Sequence, residues 1–303
     1  MKYTDLKNVI VFKAHLPDAD SLSGHLSELL FSDITENEMS KSGFFPNLCT
    51  GELVTPFEGG MAFSLRLDEK ILPSQVLRKE VQARVAQIEN AEGRTLKKSE
   101  VQDIKYSVAA DLCKVAFVKT TVISCYYNIE HKLLMVATGS KPLSQLAVSS
   151  LVKAVGSVKT ETINIDNIKL GLTTKLLSYI SSGGAPFDGF IVGEYVQISR
   201  QIEQREVVKY TAEIGNIADE LQVNLNDGFV VDQIALYFNG IAFRLTDKFH
   251  LKQIIFDEIL PPDDVEDEAF LWRHEAAVAT LQVTGIINQL CQLLSYKPNE
   301  SNG

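Results

Sequence analysis

Side chains able to grip a phosphate are gathered in one stretch of this sequence, with no bond-breaking arrangement beside them. Arg94, Lys97 and Lys98 share the short segment Arg94-Thr95-Leu96-Lys97-Lys98, and Lys70, Arg78 and Lys119 lie on either side of it. A guanidinium can clamp a phosphate through two parallel N–H donors and an ammonium holds it as a point charge, so this set suits a sugar-phosphate backbone. Residues 70–120 carry ten Lys or Arg against six acids, a balance of +4, in a chain whose net charge is −10, which leaves the remainder at −14. Basic residues on the outer face of a helix pair also make an ordinary solvated surface, and charge alone does not decide between the two.

Other chemistry falls away on inspection. Gly139-Ser140-Lys141 resembles the end of a phosphate loop, but the earlier glycine is missing and Pro142 stands where a Ser or Thr would hold magnesium, so no nucleotide site is expected. His15, His25, His131, His250 and His274 are isolated, none with a second His or Cys at metal-ligand spacing. His274, beside Trp272 and Arg273, reads as a packing histidine. There is no Gly-x-Ser-x-Gly elbow and no nuclease-like alternation of acids ending in a lysine. The run from Asp257 to Glu268 holds seven acids and two prolines, which suits a solvated connector better than a calcium loop. The expectation is a protein that is not an enzyme, with no cofactor and no metal.

The basic stretch is positioned by two helical patterns. Leu77, Val81, Val85 and Ile88 fall on one face of a helix after Pro73, Gly93 ends it, and Ser99 with Gln102 reads as a capping box. Val101, Ile104, Val108, Leu112 and Val115 then form a second apolar stripe. A helical hairpin over about 74–116 follows, with basic residues at its tip. Before it, residues 7–16 read as a strand, Asp20 or Ser21 as the cap of a helix whose Leu22, Leu26, Leu29 and Leu30 face inward, and 61–67 as a half-buried strand. Gly43-Phe44-Phe45-Pro46 reads as loop punctuation.

After the hairpin, 118–127 and 132–138 read as a strand pair, and a helix starts at about Pro142. Further strands are expected at 190–198 and 207–212, helices at 172–180 and 217–223, and a hairpin of 230–237 with 241–245 across Asn239-Gly240. A long helix runs from about Phe270 to Leu294, where Gly285 marks close packing. The fold class is α+β: a multi-lobed chain with mixed or antiparallel sheets, one lobe over 1–160 and a second over 161–303.

A content of 45% hydrophobic and 22% charged residues is that of a soluble globular chain. No window approaches the eighteen or so apolar residues of a membrane span, and the N-terminus has no signal-peptide core. Cys49, Cys113, Cys125 and Cys291 are scattered, as suits buried thiols in a reducing cytoplasm.

Glu69-Lys70-Ile71-Leu72-Pro73-Ser74, the Leu96-Lys97-Lys98 turn, Ala116-Phe117 and Gly43-Phe44-Phe45-Pro46, in that spacing along a chain of this length, resemble the recombination-associated RdgC family. The resemblance implies an elongated subunit with a protruding helical hairpin. Two such subunits would form a ring-shaped homodimer that encircles double-stranded DNA without sequence preference and limits access of RecA. It implies a cytoplasmic, nucleoid-associated protein. It also implies Lys70, Arg78, Arg94, Lys97, Lys98 and Lys119 as DNA contacts and Phe117 as a dimer contact, a core position being the alternative for Phe117. Lys114-Val115-Ala116 before the aromatic, Tyr210-Thr211-Ala212-Glu213 and Phe229 depart from the more basic pattern that the resemblance implies, and Lys209 and Lys119 could compensate. A dimeric module that binds a recombination or replication protein through its acidic face, and an unrecognised enzyme, are the other readings that this sequence leaves open.

Overall fold

A computed structural model describes residues 4–156, 158–163, 168–182, 185–257 and 265–295. Helices and strands alternate in an α+β order, and every strand pair whose register is described is antiparallel. The larger sheet is built from β1 (Ile10–Ala14), β2 (Ser40–Phe45), β3 (Val54–Phe57), β4 (Gly60–Lys70), β5 (Val118–Asn128), β6 (Leu133–Val136) and β7 (Thr160–Thr162). Its order is β2-β4-β5-β6-β1-β7, with β3 also paired to β4. The smaller sheet holds β8 (Ile191–Gln201), β9 (Arg205–Thr211), β10 (Val230–Phe238), β11 (Ile241–Thr246) and β12 (Leu251–Ile255), in the order β12-β11-β10-β8-β9. The helices are α1 (Ala19–Ser27), α2 (Ser74–Glu92), α3 (Lys98–Val115), α4 (Lys141–Val155), α5 (Ile168–Ser182), α6 (Ile214–Asn226) and α7 (Glu268–Leu293). Strands up to β7 share the larger sheet and strands from β8 the smaller. Packing groups the chain instead into one unit of Met1–Glu28, Pro46–Ser64 and Ile123–Gly303, and a second of Leu29–Phe45 and Leu65–Val122.

The first unit carries the main core. Val11, Tyr126, Met135, Leu172, Phe243 and Ile287 are among its buried residues, and each large side chain removed from water contributes roughly 1.5–3 kcal/mol. Along α7 the residues Ala276, Ala279, Val283, Ile286, Ile287 and Leu290 face this core, and Trp272 stacks on Tyr126 with ring centroids 6.2 Å apart. Asn239 and Gly240 both have positive φ in the tight turn between β10 and β11, the pairing that an Asn-Gly hairpin turn requires. A Cβ on Gly285 would meet only the Phe238 ring at an ordinary 3.9 Å, so this glycine is not a close-packing requirement. The acidic run 257–268 and the C-terminal tail fall largely outside the described residues.

Local chemistry corrects several expectations. The cap of α1 is Asp18, whose carboxylate accepts from Ser21 N–H at 3.0 Å, and Leu30 is exposed although Leu22 and Leu26 are buried. Gly43-Phe44-Phe45 lies in β2 and not in a loop. A Cβ on Gly43 would come within 2.5 Å of the Phe31 backbone, which explains the glycine, while Phe44 is wholly buried. In the second unit α2 ends at Gly93, whose φ of +67° a glycine adopts without strain. The expected apolar stripe of Leu77, Val81, Val85 and Ile88 is the less exposed face of α2, yet no residue of that helix is fully buried. The cap of α3 is Lys97 and not Ser99: the Glu100 carboxylate accepts from Lys97 N–H at 2.8 Å, giving half a capping box, because a lysine side chain has no acceptor to return. Val108 and Cys113 are buried on α3, whereas Val115 points outward.

Candidate nucleic-acid interface

The connector between α2 and α3 is built from ion pairs. Arg94 donates to both carboxylate oxygens of Glu100, at 3.0 and 2.6 Å, and pairs with Glu92 at 2.8 Å. Glu89 accepts from Leu96 N–H at 2.8 Å. The Arg94 guanidinium and the Lys97 N–H hold the Glu100 carboxyl down at about 2. Further along the two helices, Arg84 of α2 donates to Asp111 of α3 at 2.9 Å.

This network sorts the expected contact residues. Arg94 is spent on holding the connector, and Lys70 donates from the end of β4 to the Glu36 carbonyl at 2.7 Å. Arg78 on α2, Lys97 and Lys98 at the start of α3, and Lys119 in β5 are exposed. None of these four makes a salt bridge among the described residues, although Lys97 lies in the field of Glu100. Their charge is therefore available to an anion.

Phe117 stands just past the end of α3. The helix ends at Ala116 in an extended conformation, and Ile71 N–H donates to the Phe117 carbonyl at 2.8 Å, fixing the backbone at that point. The Phe117 side chain is 84% exposed, so the core alternative does not hold. Val115 at 78% and Tyr106 at 66% are also exposed, and neither was marked by the sequence pattern, in which Val115 simply continues an apolar stripe. Phe117, Val115 and Tyr106 are thus large side chains left in water, Phe117 on a backbone fixed by the Ile71 hydrogen bond.

The matching family model, described as "Putative exonuclease, RdgC", spans residues 6–297. The chain belongs to the RdgC family. It is 25% identical to the recombination-associated protein RdgC of Sodalis glossinidius over 94% of this chain and 95% of that one. It is 27% identical to the proteins of the same description from Psychromonas ingrahamii and Neisseria meningitidis, with 94% of each chain covered in both cases. The curated relatives thus carry a recombination description and the family model an exonuclease one. Among the described residues no group of three His, Cys, Asp or Glu is placed to hold a metal ion. Nor is any described helix long and apolar enough to cross a membrane.

Of the positions expected to depart from a more basic pattern, Lys114-Val115-Ala116 lies in the second unit, and Tyr210-Thr211-Ala212-Glu213 and Phe229 lie in the first. Phe229 is buried, and Arg200 lies over its ring at 4.6 Å, itself paired with Glu206 and Asp227. Tyr210 is also buried and donates to Glu220 at 3.1 Å, while Lys209 on β9 is exposed. Of the thiols, Cys113 and Cys125 are buried, and burial pushes Cys291 up to about 11, so its reactive thiolate is scarce at neutral pH.

Proposed function

We propose that this protein binds double-stranded DNA without reading its sequence, as a ring of two copies around the duplex, and so limits the access of RecA. The observation that carries this reading is the set of exposed cations without salt bridges among the described residues, Arg78, Lys97, Lys98 and Lys119, on a chain of net charge −10. Duplex DNA presents one charge per about 1.7 Å of axis, and each lysine that neutralises a phosphate releases a counterion. A handful of such contacts gives modest, salt-sensitive and sequence-independent affinity. Encirclement then supplies persistence, because a closed ring leaves a duplex only at an end or by opening.

In this reading Lys97, Lys98, Arg78 and Lys119 meet phosphates. Lys70 and Arg94 contribute positive potential while holding the ends of the helical hairpin, and Phe117 buries its ring against the partner copy. No cofactor and no hydrolytic step take part. The acidic remainder keeps DNA off the rest of the surface, and a nucleoid-associated place in the cytoplasm follows.

Titration of a duplex across a salt series tests the reading. The account predicts a linear fall of log K with log salt, and for the Lys97→Glu, Lys98→Glu variant a slope shallower by about two. No binding at low salt would overturn it and favour a module that meets a protein partner through its acidic face. Incubation of labelled duplex with Mg2+ or Mn2+ should leave its length unchanged; shortening that follows the protein's concentration would instead make the family model's exonuclease description the better one.

A further inference from the structure

Within the first unit, far along the chain from the α2–α3 connector, a cavity of about 470 Å³ is walled by five cationic side chains and two carboxylates. The cations come from separate elements: Lys141 from the first turn of α4, Lys169 from α5, Arg205 from β9, Lys248 from the β11–β12 turn and Lys252 from β12. Asp232, only 5% exposed, accepts from Lys169 at 2.8 Å and from Arg205 at 2.7 Å, and Asp247 pairs with Lys169 at 3.1 Å. Those pairs neutralise Lys169 and Arg205 but leave Lys141, Lys248 and Lys252 without a salt bridge among the described residues. In a chain of net charge −10, three ammonium groups without a salt bridge among the described residues, two of them exposed and that of Lys252 half-buried, are thus gathered around one hollow.

Two further features lie there. Ser140, the cap of α4, makes no side-chain capping hydrogen bond, and Gly139 and Lys141 on either side of it line the cavity. The turn that carries Lys248 and His250 is firmly built. Phe249 is buried at a φ of +57°, its N–H donates to the Thr246 carbonyl at 3.1 Å, and Thr246 Oγ1 accepts from His250 N–H at 3.1 Å. A bulky residue held in a left-handed conformation is strain kept by its surroundings. Burial and the fields of Lys252 and Lys248 disfavour the charged form of His250, with Lys141 adding to them and Asp247 opposing, as expected of a positive hollow.

We infer that this cavity binds a phosphoryl group, presented by a nucleotide-sized polyphosphate or by the terminal phosphate of a nucleic acid. Three unpaired cations match an anion of two or more charges, which a phosphoryl group supplies and a single carboxylate does not. The volume lies in the range of small-molecule sites. No Walker-type loop is involved: side chains from the smaller sheet and α5, with the start of α4, make the site.

Calorimetric titration of the full chain at constant ionic strength tests this, using pyrophosphate, a nucleoside triphosphate and a short duplex with or without a 5′-phosphate. The comparison protein is the Lys141→Gln, Lys248→Gln, Lys252→Gln variant, whose altered residues make no salt bridge among the described residues, with circular dichroism to show that it folds. Saturable binding that weakens by about tenfold or more in the variant supports the site, since one charge-assisted hydrogen bond is worth about 1.5 kcal/mol or more. Binding of pyrophosphate and the triphosphate identifies a free ligand, whereas a preference for the 5′-phosphorylated duplex alone identifies a nucleic-acid end. Absence of saturable binding in every arm, or affinity unchanged in a folded variant, overturns the inference. The Lys97→Glu, Lys98→Glu protein should bind pyrophosphate or the triphosphate normally, which separates this site from the proposed duplex contacts.

Discussion

The α2–α3 pair and α7 are both long helical segments with apolar stripes, yet they use those stripes in opposite ways. Ten of the 26 residues of α7 are buried, whereas none of the 19 residues of α2 is. Packing holds α7 in place. The helix pair is held by a half-buried seam, by Arg84 against Asp111, and by the Arg94–Glu100 clasp. The difference teaches where the molecule can carry chemistry: cations and an exposed phenylalanine sit where packing is thin, so they can be altered with little cost to folding.

The largest effect expected from this contrast is on stability in α7. Ile287→Ala should cost about 2–5 kcal/mol, measured by denaturant unfolding, because it removes a fully buried side chain from close packing. Val85→Ala on the half-buried stripe of α2 should cost less than about 1 kcal/mol, the removed groups being already part-exposed. Equal losses at the two positions would break the contrast. Gly43→Ala should destabilise by about 1–3 kcal/mol, since the new methyl group meets backbone and not a movable side chain.

At the connector the order reverses, with binding affected and stability spared. Lys97→Glu, Lys98→Glu should lower duplex affinity about a hundredfold at low salt, taking about 1.5 kcal/mol for each charged contact, while the unfolding midpoint barely moves. Phe117→Ser should likewise leave stability within about 0.5 kcal/mol of the parent but lower the dimer fraction in sedimentation analysis. A collapse of stability in that variant would make Phe117 a packing residue after all.

The smallest effect concerns pH. The folded pKa of Glu100 is depressed from the ordinary 4.5 to about 2, first by Arg94 and then by the Lys97 N–H. Its contribution is therefore present above about 4.5 and lost as pH falls through about 2. Amide exchange at Lys97, whose N–H donates to Glu100, should quicken relative to the rest of α3 across that window, and Glu100→Gln should remove that difference.

Much of this was legible in the sequence. Helical periods placed α2, α3 and α7, and Asn239-Gly240 placed the β10–β11 hairpin, because each signal is local. Depth was not legible: the stripe at Leu77 and Val81 has the same spacing as a core stripe but only part of a neighbour to pack on. Nor could the pattern show that Val115 turns outward, or that Arg94 is spent on Glu92 and Glu100, since those outcomes depend on where the chain goes next. Gly43 read as a loop residue because nothing in the sequence says that the backbone at Phe31 passes over it. The cavity cations, spread from Lys141 to Lys252, are brought together only by the fold.

The central claim is encirclement, and the direct measurement is retention of the protein on circular duplex DNA through a high-salt wash, before and after a single cut linearises the circle. The account predicts that protein stays on the circle and is lost once an end is available, with Phe117→Ser lost from both. Equal loss from circular and linear DNA would contradict it.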